Sequence, residues 1–204
     1  MTIAALLRHH GVNVPRWVTI DGQIVFDNVT TTPANSSHPA HGTVTPVANH
    51  TFHGGENPPA DKGTETSPWW NDAPRFNRHR AAMDKSFPGW VYLAATDDEA
   101  PSWGGTIDTG RGKFLVAIYP RRDEGLPRIT VLGPKLGVNA GRRWIPSPHL
   151  YLNGTLCVAA AEDWNPREHT VATAASWAAH WLAAYTEWRM TRRWPVEGSQ
   201  GIAV

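Results

Sequence analysis

Four short segments within residues 89–134 constrain the fold of this chain more than anything else in it: GWVYLAA, SWGGTIDT, KFLVAIYP and RITVLGP. Each is rich in β-branched or aromatic residues, and turn-forming residues separate each from the next. The spacers are too short to carry a crossover helix, so the strands are expected to run antiparallel as a meander. Helical patterns lie on both sides. In PWWNDAPRFNRHRAAMDKSFPGW, Asp72 stands at a capping position and Pro74 in the first turn, and Phe76, His79 and Met83 fall on one face. Phe87-Pro88-Gly89 ends that pattern. In REHTVATAASWAAHWLAAYTEWRMTRRW, Trp177, Trp181, Tyr185 and Trp188 recur at helical spacing and stack on one face. Such a stripe reads as the face that packs on the sheet rather than as a ligand box. The chain has eleven tryptophans, most of them in its second half, so that half carries the apolar bulk of a core. Helix, meander, a long irregular stretch and a second helix define an α+β domain.

The remainder of the chain divides in two. A short helix is expected within residues 2–10, and RWVTIDGQIVF alternates around Asp21-Gly22 as a hairpin, so residues 1–28 read as a small appendage. Residues 29–68 turn to Thr, Pro, Asn, Gly, Ser and His without periodicity and are expected to be a flexible linker. Residues 69–204 then form the main domain. The linker holds His38, His41, His50 and His53 in two His-x-x-His pairs, a set that could bind zinc tetrahedrally. With no cysteine or acid beside them, the solvated-linker reading is preferred and no metal or other cofactor is expected.

Charge and cysteine usage narrow the function classes. Lys and Arg nearly balance Asp and Glu, which leaves no electrostatic footprint for nucleic acid or an anionic membrane. A single cysteine forms no internal disulfide and asks for no oxidising compartment. The first residues do not read as a secretion signal, and no apolar run approaches the ~20 residues that span a bilayer. A cytoplasmic protein is the expectation.

That single cysteine, Cys157, lies in SPHLYLNGTLCVAAAEDWNP. As an isolated residue it would read as a small buried hydrophobe. Its surroundings argue for a nucleophile. Ser147-Pro148-His149, then Asn153-Gly154-Thr155-Leu156-Cys157-Val158, then Trp164-Asn165-Pro166 resemble, in order and spacing, the His-Pro-Asn, Gly-x-Ile-Cys-Leu and Trp-Ser-Pro landmarks of the ubiquitin-conjugating enzyme (UBC) fold. The Tyr-Pro of KFLVAIYP and the Leu-Pro before RITVLGP sit where that family carries its strand landmarks. The pattern is most similar to bacterial members of the superfamily, with Pro-His-x-Tyr-x-(Asp/Asn)-Gly-x-Leu-Cys and a Trp-rich helix ending in Trp-Pro. The resemblance covers roughly residues 70–196. It departs from the eukaryotic pattern in two ways: His149 replaces the motif's Asn, and the two C-terminal helices are missing.

The resemblance implies a UBC-like fold in which Cys157 accepts the C-terminal carboxyl of a ubiquitin-like protein, or of a cyclic-nucleotide synthase, as a thioester. Transfer to an amine of a target protein follows, in bacterial antiphage defence. With no Gly-rich nucleotide motif in the chain, a separate activating enzyme is expected to supply the acyl group. His149 is a candidate for oxyanion support, for general base or for holding the loop, and the Asn153 amide is a second oxyanion candidate. Asp163, with Glu162 beside it, is a candidate for orienting or deprotonating the amine, and His169 is a further possible neighbour. Two other readings stand beside this one: a non-catalytic binding module for a ubiquitin-like partner, and a thiol hydrolase pairing Cys157 with His149 or His169.

Overall fold

The structure is a computed structural model and describes residues 15–52, 57–58, 67–97 and 99–195. The helix expected within residues 2–10 lies outside the described residues.

Helix α1 spans Ala73–Ser86, with the Asp72 carboxylate accepting from the Arg75 N–H at its N-cap and Pro74 in its first turn. His79 and Met83 are buried and Phe76 packs against the core, as their spacing predicts. The first strands form a separate sheet: β1 (Trp17–Thr19), β2 (Ile24–Val25), β3 (Thr30–Thr31), β4 (Ser36–His38) and β5 (Gly42–Pro46), in the order β2-β1-β5-β4-β3. The hairpin at Asp21-Gly22 is present, but its loop is Ile20-Asp21-Gly22 rather than two residues, with Thr19 and Gln23 bonded across it. Gly22 adopts φ +100°, and a Cβ there would lie 2.7 Å from the Ile107 side chain. Only glycine permits both the turn and this close approach.

Residues 29–68, expected to be a linker, carry β3, β4 and β5 instead. The polar composition hides these strands because their pairing is done by the backbone, while only Ser36 and Val44 turn buried side chains inward. His38 and His41 lie with tilted rings, centroids 4.7 Å apart, and His50 lies elsewhere, against His180. Among the described residues no three metal-ligating side chains gather, and His53 lies outside them.

The meander follows α1: β6 (Val91–Leu93), β7 (Ser102–Asp108), β8 (Lys113–Tyr119) and β9 (Arg128–Gly133) pair antiparallel in chain order. Trp103, Ile107, Phe114, Val116, Ile118 and Ile129 point into the core. The stretch beyond β9 is less irregular than expected, since β10 (Gly137–Ala140) and β11 (Arg143–Pro146) form a hairpin around Gly141 at φ +62°. A positive φ at the first loop position matches the twist a two-residue hairpin needs.

Helix α2 runs Val171–Thr191, and every residue from Val171 to Trp188 except Thr173 is buried. A helix apolar on one stripe can lean on one sheet; one buried all round has to be covered on several sides. The meander and α1 cover part of α2, and β1, β2 and the segment after β5 cover the rest. Trp177 Nε1 donates to Ala48 O at 2.9 Å, and Val18, Ile24 and Phe52 complete the same core. The N-terminal strands are therefore part of the hydrophobic core.

Candidate active site

Cys157 sits at the end of a narrow hairpin that the chain builds between β11 and α2. Leu150 and Leu156 form an antiparallel bridge, the Tyr151 N–H donates to Thr155 O at 3.0 Å, and the Cys157 N–H donates to His149 O at 3.0 Å. Gly154, at φ +82°, allows the tip to turn, and Asn153 Oδ1 accepts from the Thr155 N–H and hydroxyl. A further bond, Leu156 N–H to Ile129 O at 2.8 Å, hangs the hairpin on β9. The meander thereby fixes the depth of the cysteine. Across an antiparallel pair, side chains two apart share a face, so Tyr151 and Cys157 are diagonal neighbours.

The Cys157 side chain has no solvent exposure, whereas Leu152 at the tip is 79 % exposed. The Tyr151 hydroxyl hydrogen-bonds the Cys157 sulfur. Tyr151 is held protonated well above the ordinary tyrosine range, first by burial and then by this bond and the charge of the sulfur, with Arg121 acting in the opposite direction. Arg121 is itself buried and paired with Asp123, its Nε donating to Oδ1 at 2.8 Å.

The other expected site residues take distinct places. His149 has φ +55°, a left-handed turn that starts the hairpin, and its ring lies tilted against Trp194 and Phe52, centroids 4.8 Å and 6.1 Å away. Its backbone oxygen is what holds the Cys157 amide. Asn153 is exposed, its side-chain oxygen engaged within the tip. Asp163 Oδ2 accepts from the Thr51 N–H at 2.7 Å and the Ala160 N–H at 3.2 Å, binding the segment after β5 to the segment after Cys157. Glu162 is exposed. His169 Nδ1 accepts from the Asn165 N–H at 3.1 Å, and burial lowers the pKa of its ring, which lies against Trp164 and Trp177. Trp164 Nε1 donates to Glu124 O at 2.7 Å, and Arg78 donates to the backbone oxygens of Pro166, Arg167 and His169. These bonds clamp the loop between Cys157 and α2 onto α1 and the β8–β9 connection. Tyr151 fills the tyrosine position of the Pro-His-x-Tyr pattern, but the pattern assigns it no role. Its place beside the sulfur follows only from the Leu150–Leu156 pairing.

The Type II CBASS E2 protein family model matches residues 79–201, more than half of the chain and all of the cysteine hairpin. The chain belongs to this family. The match begins within α1 and continues past α2, so the meander, the hairpin and the Trp-rich helix are the parts that the family shares. No curated protein and no solved structure matches the chain. Membership indicates an E2-like role in bacterial antiphage defence. Among the described residues of this CBASS E2 family member, no helix is long and apolar enough to cross a membrane.

Proposed function

We propose that this CBASS E2 family member has a UBC-like fold and carries an acyl group on Cys157. A separate activating enzyme presents the C-terminal carboxyl of a ubiquitin-like protein, or of a cyclic-nucleotide synthase, as a thioester, and Cys157 takes it over. An amine of a target protein then attacks, and an amide bond replaces the thioester. Sulfur suits both steps, being a strong nucleophile as thiolate and a good leaving group from a thioester. The observation that carries this reading is the placement of the chain's sole cysteine on a hairpin fixed to the sheet, with its sulfur bonded to the Tyr151 hydroxyl. His149 and Asn153 are proposed as loop-forming and oxyanion-supporting residues. Asp163 is proposed to hold the flank of the site along which an amine would approach.

One observation favours a second reading. A cysteine without solvent exposure can serve as packing in a module that only binds a ubiquitin-like partner. Under the acyl-transfer reading, the tip at Leu152-Asn153-Gly154 swings away when the donor docks. The two separate on a non-reducing gel of protein, its activating enzyme, ATP and candidate modifier. Acyl transfer gives a slower band that thiol removes, that Cys157→Ala lacks, and that becomes thiol-resistant in Cys157→Ser. Partner binding by wild type and both variants, without any such band, gives the module.

A further inference from the structure

The hydrogen bond between Tyr151 and Cys157 has a consequence beyond positioning. A sulfur sealed from water is poorly placed to be an anion, because burial disfavours the charged form of a thiol. Only a thiolate attacks a thioester at a useful rate. Resting on the reading of Cys157 as nucleophile, we propose that Tyr151 is a catalytic residue, its hydroxyl donating to the Cys157 sulfur so that the thiolate exists inside a closed site. Three observations carry this. The Leu150–Leu156 bridge and the Tyr151–Thr155 bond place the two side chains on one face of a hairpin too short to slip in register. The Tyr151 ring is itself buried, and burial strengthens a hydrogen bond made by its hydroxyl. The buried Arg121 guanidinium also acts electrostatically on Tyr151, as one half of an ion pair with Asp123.

The direction of donation follows from chemistry. A thiolate has only lone pairs to offer, so in the reactive state the tyrosine O–H is the donor. A phenol that keeps its proton this firmly does not act as the general base for an incoming amine. In the first transfer, the tip opens as the donor docks, the proton of the Cys157 thiol leaves to the water this admits, and the thiolate, held by the Tyr151 O–H, attacks the donor's thioester carbonyl. The new S–C bond forms as the carbonyl electron pair moves to oxygen. Collapse restores the carbonyl and expels the activating enzyme's thiolate. Once acylated, the Cys157 sulfur is a weak acceptor, and the Tyr151 O–H is released beside the thioester carbonyl, where it can donate to the oxyanion of the second transfer.

Because Cys157 is the sole cysteine, thiolate formation can be followed in the isolated protein by its absorbance near 240 nm, with Cys157→Ala as the blank. Tyr151→Phe keeps the ring and removes the donor. The expected result is a thiolate midpoint higher by about one pH unit, which is about tenfold less thiolate at a given pH below it. A 3-fluorotyrosine at position 151, a more acidic donor of nearly the same shape, is expected to move the midpoint downward. An unchanged midpoint in a folded Tyr151→Phe protein overturns the proposal. Should that variant unfold, the fluorinated protein decides alone, a downward shift supporting the proposal and no shift overturning it. The titration needs no partner, so its outcome is separate from that of the thioester gel. A shifted midpoint without a thioester band keeps the Tyr151–Cys157 linkage and removes the conjugation reading; a thioester band with an unshifted midpoint does the reverse.

Discussion

His50 and His180 show how completely a buried residue's state is set by its partners. His50 Nδ1 lies 2.8 Å from Ala48 O, and a carbonyl only accepts, so Nδ1 carries the proton. His50 Nε2 is then the acceptor in the 3.1 Å contact with His180 Nδ1, which must be the donor. His180 Nε2 is left as a buried lone pair with no hydrogen-bond partner among the described residues. Both rings are neutral in this scheme, and both titrate low. Burial is the first cause, taking His50 to about 4 and His180 well below the usual histidine range. Arg16 lowers both, Asp163 and the Ala48 oxygen pull His50 the other way, and His50 further lowers His180. His79, whose Nδ1 accepts from the Val171 N–H, is likewise lowered to about 4, by burial and then by Arg78 and Arg75. Since the folded values lie below the unfolded one, the unfolded chain binds more protons between them. The stability these rings contribute is present above pH ~6.5 and is lost as pH falls toward 4, each site costing about 1.4 kcal/mol per pH unit within that window. Thermal melts from pH 7 to pH 4 should show a melting temperature that falls steeply below 6.5. A flat profile would mean that these imidazoles reach water in the folded state.

Among the elements, α2 and the β10–β11 hairpin are joined by one side chain. The Tyr185 hydroxyl accepts from the Gly137 N–H at 3.0 Å and donates to Gly137 O at 3.2 Å. Gly137 adopts φ +150°, and a Cβ there would come within 2.4 Å of the Trp144 ring. Glycine, tyrosine and tryptophan thus form one joint that sets where the chain leaves for the cysteine hairpin. Tyr185→Phe leaves a buried amide and a buried carbonyl unpaired and should cost about 2 kcal/mol by urea denaturation, with the slope against urea unchanged. Tyr185 was legible in the sequence as part of an aromatic stripe, but its hydroxyl was not, because periodicity reports which side of a helix is apolar and says nothing of a polar tip. The same limit separates the elements that were read from those that were missed. Strands β6 to β9 alternate around a true core, and Asp72 with Pro74 announces α1, so local pattern and tertiary role coincide. Strands β3 to β5 bury almost nothing, and β10–β11 presents a register only through its turn, so neither leaves an apolar signature. At the site, Cys157 was legible because its flanking landmarks are local, whereas Tyr151 was legible only as one of those landmarks, its contact with the sulfur depending on a cross-hairpin pairing.

At the scale of the whole molecule, the sequence suggested a main domain from residue 69 onward with an appendage tethered to it, and the packing argues for a single cooperative unit. Helix α2 is the reason. Its surface carries Trp177, Trp181 and His180 beside a dense set of alanines, all buried, and no single sheet reaches every side of such a helix. Val18, Ile24 and Phe52 supply the missing wall; Phe52 packs 5.1 Å from His180 and 5.9 Å from Trp194, and Trp194 in turn packs at a tilt on His149 at the start of the cysteine hairpin. Asp163 ties the same wall to the loop after Cys157 through Thr51. Removing residues 1–66 would therefore uncover α2 and loosen both flanks of Cys157 at once. At ~25 cal/mol per Å² of apolar surface, uncovering even a few hundred Å² removes several kcal/mol, a large share of what holds a domain of this size together. A chain beginning at Ser67 should bind a hydrophobic dye and melt without a sharp transition, while its cysteine reacts with maleimide far faster than in the full chain, where unfolding or opening must come first. A sharp melt together with a still-protected cysteine would show that the N-terminal sheet is a passenger, and that α2 finds its cover elsewhere.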